Sequence, residues 1–394
     1  MTDITIREIQ GDEMLEIMHW LPGYGLNPSP PLPDKEERKE IFKNRRGAIY
    51  YALFQDEEPA ACAASTEMIQ QVRGGVYSMG GIWGVATHPS ARRKGYQRGV
   101  LGSLLSAIHQ QGQSLSCLYP FRGSFYERLG YVTFPVSRKA IFPPSALEPL
   151  AKIELDGEIE LLLIGDGFDI YREYLEAHQK RVHGMAIFKY GDEYRAQRNN
   201  QWLALAKVKG ELVGVMLYDL KGDHPTEFNL RAMRFYYHTS QGKFLLLSWI
   251  ARHIDQAKRV EIWLPPYEQP ETWLADLRVS MEPVFFSPMG RVIDVAKIGG
   301  MSTGDGAFSA RIVDRLCRWN ETVWRFETMD GKLQVSSGKR AECDLDIRGL
   351  AALIYGTHDP GDYSILGWGD PGEGVQEIMR KMFPRKVPYL HEMF

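Results

Sequence analysis

The chain has 394 residues, 44% of them hydrophobic, and a formal net charge of -3. This length suggests two or three domains, and the slightly acidic charge disfavours nucleic acid as a partner. No segment approaches the ~20 apolar residues that span a bilayer, and the first residues show no signal-peptide core, so we expect no membrane partner. The four cysteines stand singly, which indicates free thiols and a cytoplasmic location. Histidines without paired spacing predict no metal site.

The first part of the chain is predicted to alternate strands and helices. Its apolar patterns predict strands and helices at 4–9 (strand), 12–20 (helix), 34–44 (helix), 48–54 (strand) and 60–68 (strand). A proline-rich segment, residues 21–34, separates the two helices. Proline does not fit a helix interior, so this segment is predicted to be an irregular connection. Trp20 and Tyr24 at its base are typical either of a pocket wall or of an ordinary surface loop.

The segment from Met79 to Tyr131 is the most informative stretch. A strand at 82–87 is followed by the basic turn Arg92-Arg93-Lys94-Gly95 and then by a helix that ends at Gly112. The helix is predicted from apolar residues at helical spacing, namely Val100, Leu101, Leu104, Leu105 and Ile108. A glycine at a helix start lets a phosphate approach unpaired backbone N–H groups, and arginines add charge-assisted hydrogen bonds. A solvated basic turn is the alternative interpretation.

A strand at 115–119, a short helix at 124–129 and a strand from Tyr131 complete this part. The basic turn, followed by Phe125-Tyr126-Glu127-Arg128-Leu129-Gly130-Tyr131, resembles the GCN5-related N-acetyltransferase (GNAT) superfamily. In that family the turn reads Q/R-x-x-G-x-G/A and holds the pyrophosphate of acetyl-CoA. Arg92 and Gly95 match this pattern, whereas Gln97 departs from its last small residue.

The second part repeats the same succession of elements. Strands are predicted at 159–164, 202–208, 212–218, 229–237 and 260–264, with helices at 168–182 and 243–257. The corresponding turn, 238–243, contains glycine but no pair of arginines. We therefore expect a degenerate second acetyltransferase fold that is structural or pocket-forming rather than a second active site.

The third part changes in character from about Arg291. The patterns predict a strand at 292–297, helices at 310–317, 344–355 and 374–383, and a hairpin of strands 322–328 and 332–336. The whole chain resembles the enhanced-intracellular-survival (Eis) family of bacterial acetyltransferases. The resemblance implies an α+β (mixed α/β) fold, with tandem GNAT folds followed by a sterol-carrier-protein-like domain. It places the domains at 1–148, 149–288 and 289–394 and implies a homo-oligomer, a hexamer in the resembled family.

The resemblance also implies the chemistry, which is transfer of the acetyl group of acetyl-CoA to an amine. The pyrophosphate would lie on the backbone of 93–98, assisted by the Arg92 and Arg93 side chains, and the Val85 N–H would polarise the thioester carbonyl. Tyr126 would protonate the leaving thiolate. The full set of cofactor-binding residues predicted in this way is Val85, Ala86, Thr87, Arg92, Arg93, Lys94, Gly95, Tyr96, Gln97 and Arg98.

In the resembled family the carboxylate of a terminal phenylalanine is the base, which assigns that role to Phe394. Glu392 and water remain alternatives. The expected acceptor is a small molecule with primary amines, such as an aminoglycoside, because that family acetylates these compounds. Asp34, Glu36 and Glu37 could contact a cation or form a solvated helix start. A ligand or lipid carrier with a vestigial acyl-CoA site is the competing hypothesis.

Overall fold

The computed structural model describes residues 3–394, which form two compact units. The first unit contains the described residues up to Phe134 together with Val182–Gly191 and Ser287–Phe394. The second contains Pro135–Arg181 and Asp192–Phe286. These units are defined by contacts rather than by chain order, so the three predicted domain boundaries remain a prediction.

The described chain contains strands and α-helices in a mixed order. The strands, in chain order, are β1 (Ile4–Glu8), β2 (Ala48–Gln55), β3 (Glu58–Val72), β4 (Gly75–Thr87), β5 (Leu115–Leu118), β6 (Val132–Thr133), β7 (Arg138–Phe142), β8 (Glu158–Leu163), β9 (Ala186–Phe188), β10 (Trp202–Val208), β11 (Glu211–Lys221), β12 (Phe228–Tyr237), β13 (Ala257–Leu264), β14 (Ser280–Pro283), β15 (Met289–Val292), β16 (Ala307–Val313), β17 (Val323–Met329), β18 (Lys332–Ser337) and β19 (Cys343–Asp346). The helices are α1 (Gly11–Leu26), α2 (Lys35–Asn44), α3 (Tyr96–Gln110), α4 (Gly123–Glu127), α5 (Phe168–Gln179), α6 (Glu193–Asn199), α7 (Ser240–Ala251), α8 (Ile347–Tyr355), α9 (Tyr363–Leu366) and α10 (Glu373–Met382).

The first unit contains two sheets. The larger has the order β1-β2-β3-β4-β5-β15-β6, with β9 paired to β3, and the smaller has the order β18-β17-β16-β19. In the larger sheet β4 and β5 are parallel, and the connection between them is α3. All five apolar residues predicted for one face of α3, from Val100 to Ile108, are buried, which confirms that helix and its orientation. This face packs against β2, β3 and β4 and holds α3 on the sheet.

The sheet of the second unit repeats this topology. Its order is β14-β7-β13-β12-β11-β10-β8, and its parallel pair, β12 and β13, is again connected by a helix, α7. In each sheet the strand beside the parallel pair comes from elsewhere in the chain. Strand β15, which follows the second unit in sequence, pairs with β5 and β6, while β7, which follows β6, pairs with β13 and β14.

Several predicted elements differ from the structure: besides the three described next, the helix predicted at 344–355 begins within β19, and the helix predicted at 243–257 ends at Ala251. Residues 310–317 were predicted as a helix, but β16 ends at Val313, and its buried Phe308, Ala310 and Ile312 alternate with more exposed residues as in a strand. The strand predicted at 292–297 stops at Val292, because the Asp294 side chain accepts the Ala296 N–H and starts a 3₁₀ turn.

The third wrong prediction is the end of the first helix. Helix α1 continues to Leu26 and contains Pro22. Leu21, Pro22 and Gly23 are all buried. Burial of this apolar turn therefore outweighs the hydrogen bond that proline removes from the helix.

Candidate active site

Strands β4 and β5 separate in the middle of the large sheet. They pair in parallel from Met79–Ile82 to Leu115–Leu118, and beyond Ile82 the described residues give β4 no partner on that side. Gly84, with φ +62°, lies at a register shift against β3, and a Cβ there would lie 2.6 Å from Cε of Met18. This bulge turns the end of β4, so that Val85, Ala86 and Thr87 face a cavity of about 750 Å³.

The start of α3 forms a second side of this cavity. Arg93 and Gly95 both have positive φ, 65° and 81°, and Gly95 precedes the helix without a side-chain cap. A Cβ added to Gly95 would meet no atom within 4 Å. The first N–H groups of α3 and the positive end of its dipole are therefore open to an anion.

Two of the predicted cofactor-binding residues, Lys94 and Gln97, have side chains that bond to other parts of the protein. The Gln97 side chain donates to the Cys62 carbonyl at 3.1 Å and accepts from the Thr87 hydroxyl at 3.0 Å, tying α3 to β3 and β4. This explains how glutamine is tolerated at the last motif position. Lys94 points to Gln55, with its Nζ 3.1 Å from Oε1, and is the only predicted cofactor residue that does not line the cavity.

The cavity is strongly positive. Five arginines line it, namely Arg92, Arg93, Arg98, Arg122 and Arg128, and no carboxylate is among its lining residues. Of these, Arg122 and Arg128 were missed from the sequence, as were the lining rings of Phe121 and Phe125. A signal was present, since these residues surround α4 directly after β5, and neighbouring parallel strands end at the same edge of a sheet.

Tyr126 lies beside this cavity rather than in its lining. Its side chain is 2% exposed and packs edge-on against Phe125, with ring centroids 5.0 Å apart. Burial raises the pKa of Tyr126 above its ordinary value, so its hydroxyl keeps the proton at neutral pH.

Phe394 lies on the other face of the sheet. Its ring packs edge-on against Tyr119, with centroids 5.8 Å apart, and a Cβ on Gly81 would lie 3.0 Å from its Cε2. It packs with the apolar group that includes Met79 and Cys117, whereas Tyr126 packs with the group that includes Ile82 and Leu118. The predicted acid and base thus lie on opposite faces, on either side of the separation between β4 and β5.

The segment before Phe394 is held firmly. The Tyr119 hydroxyl donates to the Leu390 carbonyl at 3.2 Å, and the side chain of Leu390 is 2% exposed. The predicted alternative base, Glu392, lies 3.3 Å from the buried His391. The last residues are thus packed into the first unit rather than frayed.

Arg73 binds the chain where the C-terminal segment, residues 384–394, begins. It lies at the turn between β3 and β4, and its buried guanidinium donates to the carbonyls of Leu353, Ile354 and Pro384 at 2.7–2.9 Å. Its backbone N–H donates to Nδ1 of His183 at 3.1 Å, and Nε2 of His183 bonds to the Tyr355 carbonyl. Arg73 therefore joins the sheet of the site to the end of α8 and to the start of the C-terminal segment.

The C-terminal end of α1 contributes to the rim of the cavity. Gly25 and Leu26 line it, and Trp20 stacks on His88 with centroids 5.2 Å apart. Among the predicted acidic residues, Asp34 caps α2 by accepting the Glu37 N–H at 2.7 Å. Asp34 thus has the role of a helix start.

The corresponding turn in the second unit is closed. Thr239 caps α7 by accepting the Gly242 N–H at 3.1 Å, and a Cβ on Gly242 would lie 2.5 Å from the Val213 carbonyl oxygen. The ring of His238 stacks on Tyr174 with centroids 4.3 Å apart. The cap satisfies an N–H at the helix start, and packing leaves a phosphate no room there.

This combination of a separated parallel strand pair, an open helix start and an arginine-lined cavity is the arrangement of the cofactor site in a GNAT fold. Residues 5–134 match the acetyltransferase (GNAT) domain family. Residues 299–391 match the sterol carrier protein domain family. The predicted fold class is confirmed: the fold is mixed α/β, with a GNAT domain and a C-terminal domain of sterol-carrier type. A GNAT fold implies acetyl-CoA as the co-substrate.

Several solved structures share this fold over the whole chain. A GCN5-related N-acetyltransferase from Anabaena variabilis ATCC 29413 has a TM-score of 0.86 at 17% identity, covering 100% of both chains. A probable N-acyltransferase from Enterococcus faecalis V583 has a TM-score of 0.85 at 18% identity, again covering 100% of both. Eis1 from Mycobacterium abscessus has a TM-score of 0.79 at 14% identity, covering 99% of this chain and 100% of its own. No curated protein sequence matches the chain.

In residues 3–394 no group of three or more His, Cys, Asp or Glu side chains is arranged to hold a metal ion. Over the same residues, no helix combines the length and the apolar character needed to cross a membrane.

Proposed function

We propose that the protein is an acetyl-CoA-dependent N-acetyltransferase of the Eis family, acting on primary amines of a polycationic small molecule such as an aminoglycoside. The observation that carries the proposal is the cavity beside Val85–Thr87, with five arginines and no lining carboxylate. A pyrophosphate needs this charge, and a pantetheine arm needs a free strand edge. The fold shared with Eis1 from Mycobacterium abscessus supports the family assignment.

In the proposed reaction the pyrophosphate binds at Arg92, Arg93 and the start of α3, and the pantetheine arm runs along the edge of β4. The N–H of Val85 stabilises the oxyanion that forms when the amine attacks the thioester carbon. The C–N bond forms and the C–S bond breaks. Tyr126 gives its proton to the departing thiolate, and the base accepts the proton of the amine.

We assign the base to the Phe394 carboxylate, directly or through water. A terminal carboxyl group has an ordinary pKa of ~3.3–3.7, so it needs an enclosed position to be an effective base. The packing of the Phe394 ring against Tyr119 and Gly81 supports such a position. Glu392 is a weaker candidate because its carboxylate lies within ion-pair distance of His391.

The activity is tested by measuring thiol release from acetyl-CoA in the presence of kanamycin-like amines, polyamines and lysine peptides. We expect amine-dependent release, fastest with the polycationic amines. If none of the three classes increases thiol release above the rate of acetyl-CoA alone, the proposal is wrong. Release with lysine peptides alone would exclude the small-molecule acceptor.

The assignment of the base is tested by deleting Phe394 and, separately, by adding one glycine after it. We expect each change to lower kcat by roughly 100-fold, since general base catalysis contributes that much or more, and to leave the Kd of CoA unchanged. Substitution of Glu392 by Gln is the matched control and should have a small effect. A fully active extended protein would exclude the terminal base.

A further inference from the structure

A second cavity adjoins the arginine-lined one within the first unit. It measures about 620 Å³ and shares three lining residues with its neighbour, Arg98, Phe125 and Arg128. Its opposite wall is formed by the C-terminal part of the chain, from Val313 to Leu316 and from Asp344 to Arg348. The two cavities therefore meet at the first turn of α3, where we place the pyrophosphate.

Two of the three carboxylates in this wall are hydrogen-bonded within the protein, and the third is in an exposed ion pair. Asp314 accepts from the buried Arg291 at 2.6 Å and from the Asn320 amide at 3.0 Å. Asp346 caps α8 and accepts from Nε of Arg348 at 2.7 Å. Asp344 has its own partner in Arg311, at 3.6 Å.

Three other arginines that line the second cavity, Arg98, Arg128 and Arg315, have no carboxylate partner of this kind in the described part of the chain. Among residues 3–394, no carboxylate lies within ion-pair distance of Arg98, Arg128 or Arg315, and Nε of Arg128 donates only to the Ser124 carbonyl. All three arginines are exposed and line the second cavity. The unneutralised charge of this cavity is therefore positive, and Phe125 is among its lining residues.

We infer that the second cavity binds the 3′-phosphoadenosine end of acetyl-CoA and that Arg315 contacts the 3′-phosphate. This inference rests on the proposed function. The pyrophosphate is placed at the start of α3, and the pantetheine arm extends from it along β4. The nucleoside therefore extends from the other end of the pyrophosphate, toward Arg98 and Phe125, which line both cavities. An adenine can stack on Phe125, and a third phosphate can bind to Arg128 and Arg315. The sterol-carrier-type domain would then be part of the cofactor site.

The test compares the affinities of CoA and 3′-dephospho-CoA by calorimetry for the wild-type protein and for Arg315→Ala. We expect the wild type to bind CoA roughly tenfold more tightly, the effect of one hydrogen bond to a charged group. Arg315→Ala should lose most of that preference by weakening CoA alone. The matched control is Arg318→Ala, an exposed arginine of the same connection that does not line the cavity and should behave as wild type.

Three outcomes would overturn the inference. One is an equal loss of both ligands in Arg315→Ala, and another is an unchanged preference in that variant. The third is that 3′,5′-ADP binds together with CoA instead of displacing it, which would make the cavity a separate nucleotide site. The failure of the proposed function would look different, since the wild type would then bind neither form of CoA or would release no thiol with any amine.

Discussion

The two helix starts that follow the central strands of the two units differ in one respect that matters for binding. Helix α3 begins at Gly95 with no side-chain cap and with open space around that glycine. Helix α7 begins at the capping side chain of Thr239, and its Gly242 lies against the Val213 carbonyl. The same topology thus produces one open helix terminus and one closed terminus.

This difference shows that the fold by itself does not create an anion site. The site also requires that N–H groups at the helix start stay unsatisfied and that positive side chains lie beside them. The first unit meets both conditions through Gly95 and the arginines of the cavity. In the second unit, packing against the Val213 carbonyl fills the space at the helix start, and the Thr239 side chain satisfies the N–H of Gly242.

The largest expected effect is that of Tyr126→Phe on kcat. The proposed reaction takes place in the first unit and needs a general acid to protonate the departing thiolate. We expect kcat to fall by about 100-fold or more, with the Kd of CoA unchanged. Burial raises the pKa of Tyr126. This acid therefore keeps its proton through the neutral range and should lose it only above its ordinary value of ~10.

The measurement is kcat between pH 6 and pH 10 for both proteins. The control is Tyr267→Phe, an exposed tyrosine that follows β13 in the second unit, which should leave kcat unchanged. Equal kcat values for wild type and Tyr126→Phe would remove the acid role from Tyr126.

The second effect concerns the cofactor-binding turn. The double variant Arg92→Ala, Arg93→Ala should bind CoA about 100-fold more weakly, from two charge-assisted hydrogen bonds of about 1.5 kcal/mol each. The matched double variant Gln241→Ala, Lys243→Ala alters the corresponding turn of the second unit and should bind as wild type. Calorimetry with CoA measures both. A loss in the second variant instead would reverse the assignment of the two turns.

The third effect is on stability at acid pH. Burial lowers the pKa of His183 to about 4, with smaller contributions in the same direction from the nearby charges of Arg73 and Lys386. The unfolded chain takes up a proton at this residue near pH ~6.5. Stability is therefore fully present above that pH and falls as the pH drops toward 4, by on the order of 3 kcal/mol.

Urea unfolding at a series of pH values tests this dependence. We expect His183→Gln to flatten the dependence between pH 6.5 and pH 4, whatever its effect at pH 7. His238→Gln in the second unit is the comparison, since burial also lowers the pKa of His238, and it should flatten the curve less. An unchanged slope in His183→Gln would show that other groups govern acid unfolding.

The smallest effects come from the two glycines. Gly95→Ala has space for its methyl group but keeps φ at +81°, which costs about 1 kcal/mol, and it should also weaken CoA binding by crowding the helix start. Gly242→Ala should destabilise the fold by about 1–3 kcal/mol through overpacking, with no change in CoA affinity. Thermal unfolding and calorimetry separate the two. Weaker CoA binding by Gly242→Ala would contradict the comparison.

The sequence predicted much of this arrangement. Helical spacing predicted α3 and its buried face, and the order of elements predicted the repeated fold. Lys94 was predicted to bind the cofactor because of its place in the turn, but its side chain turns toward Gln55. That orientation depends on a neighbour in β2, which sequence spacing does not reveal.

Other features could not be predicted because they depend on long-range packing. Local spacing suggested a helix at 310–317, but strand pairing with β17 and β19 decided the outcome for β16. The exchange of β7 and β15 between sheets was also missed, since short strands carry little periodicity. The contribution of Arg122 and Arg128 to the cavity is a different case, because their position around α4 directly after β5 was a signal that was missed.

The position of β15 affects the order in which the protein can be completed during synthesis. This strand lies between β5 and β6, yet the ribosome makes it only after the whole of Pro135–Phe286. At ~5–20 residues per second, β5 waits for roughly 8–30 s with an unpaired edge. The sheet that carries the arginine-lined cavity is thus finished after the second unit has been made. A fragment ending at Phe134 would lack this strand.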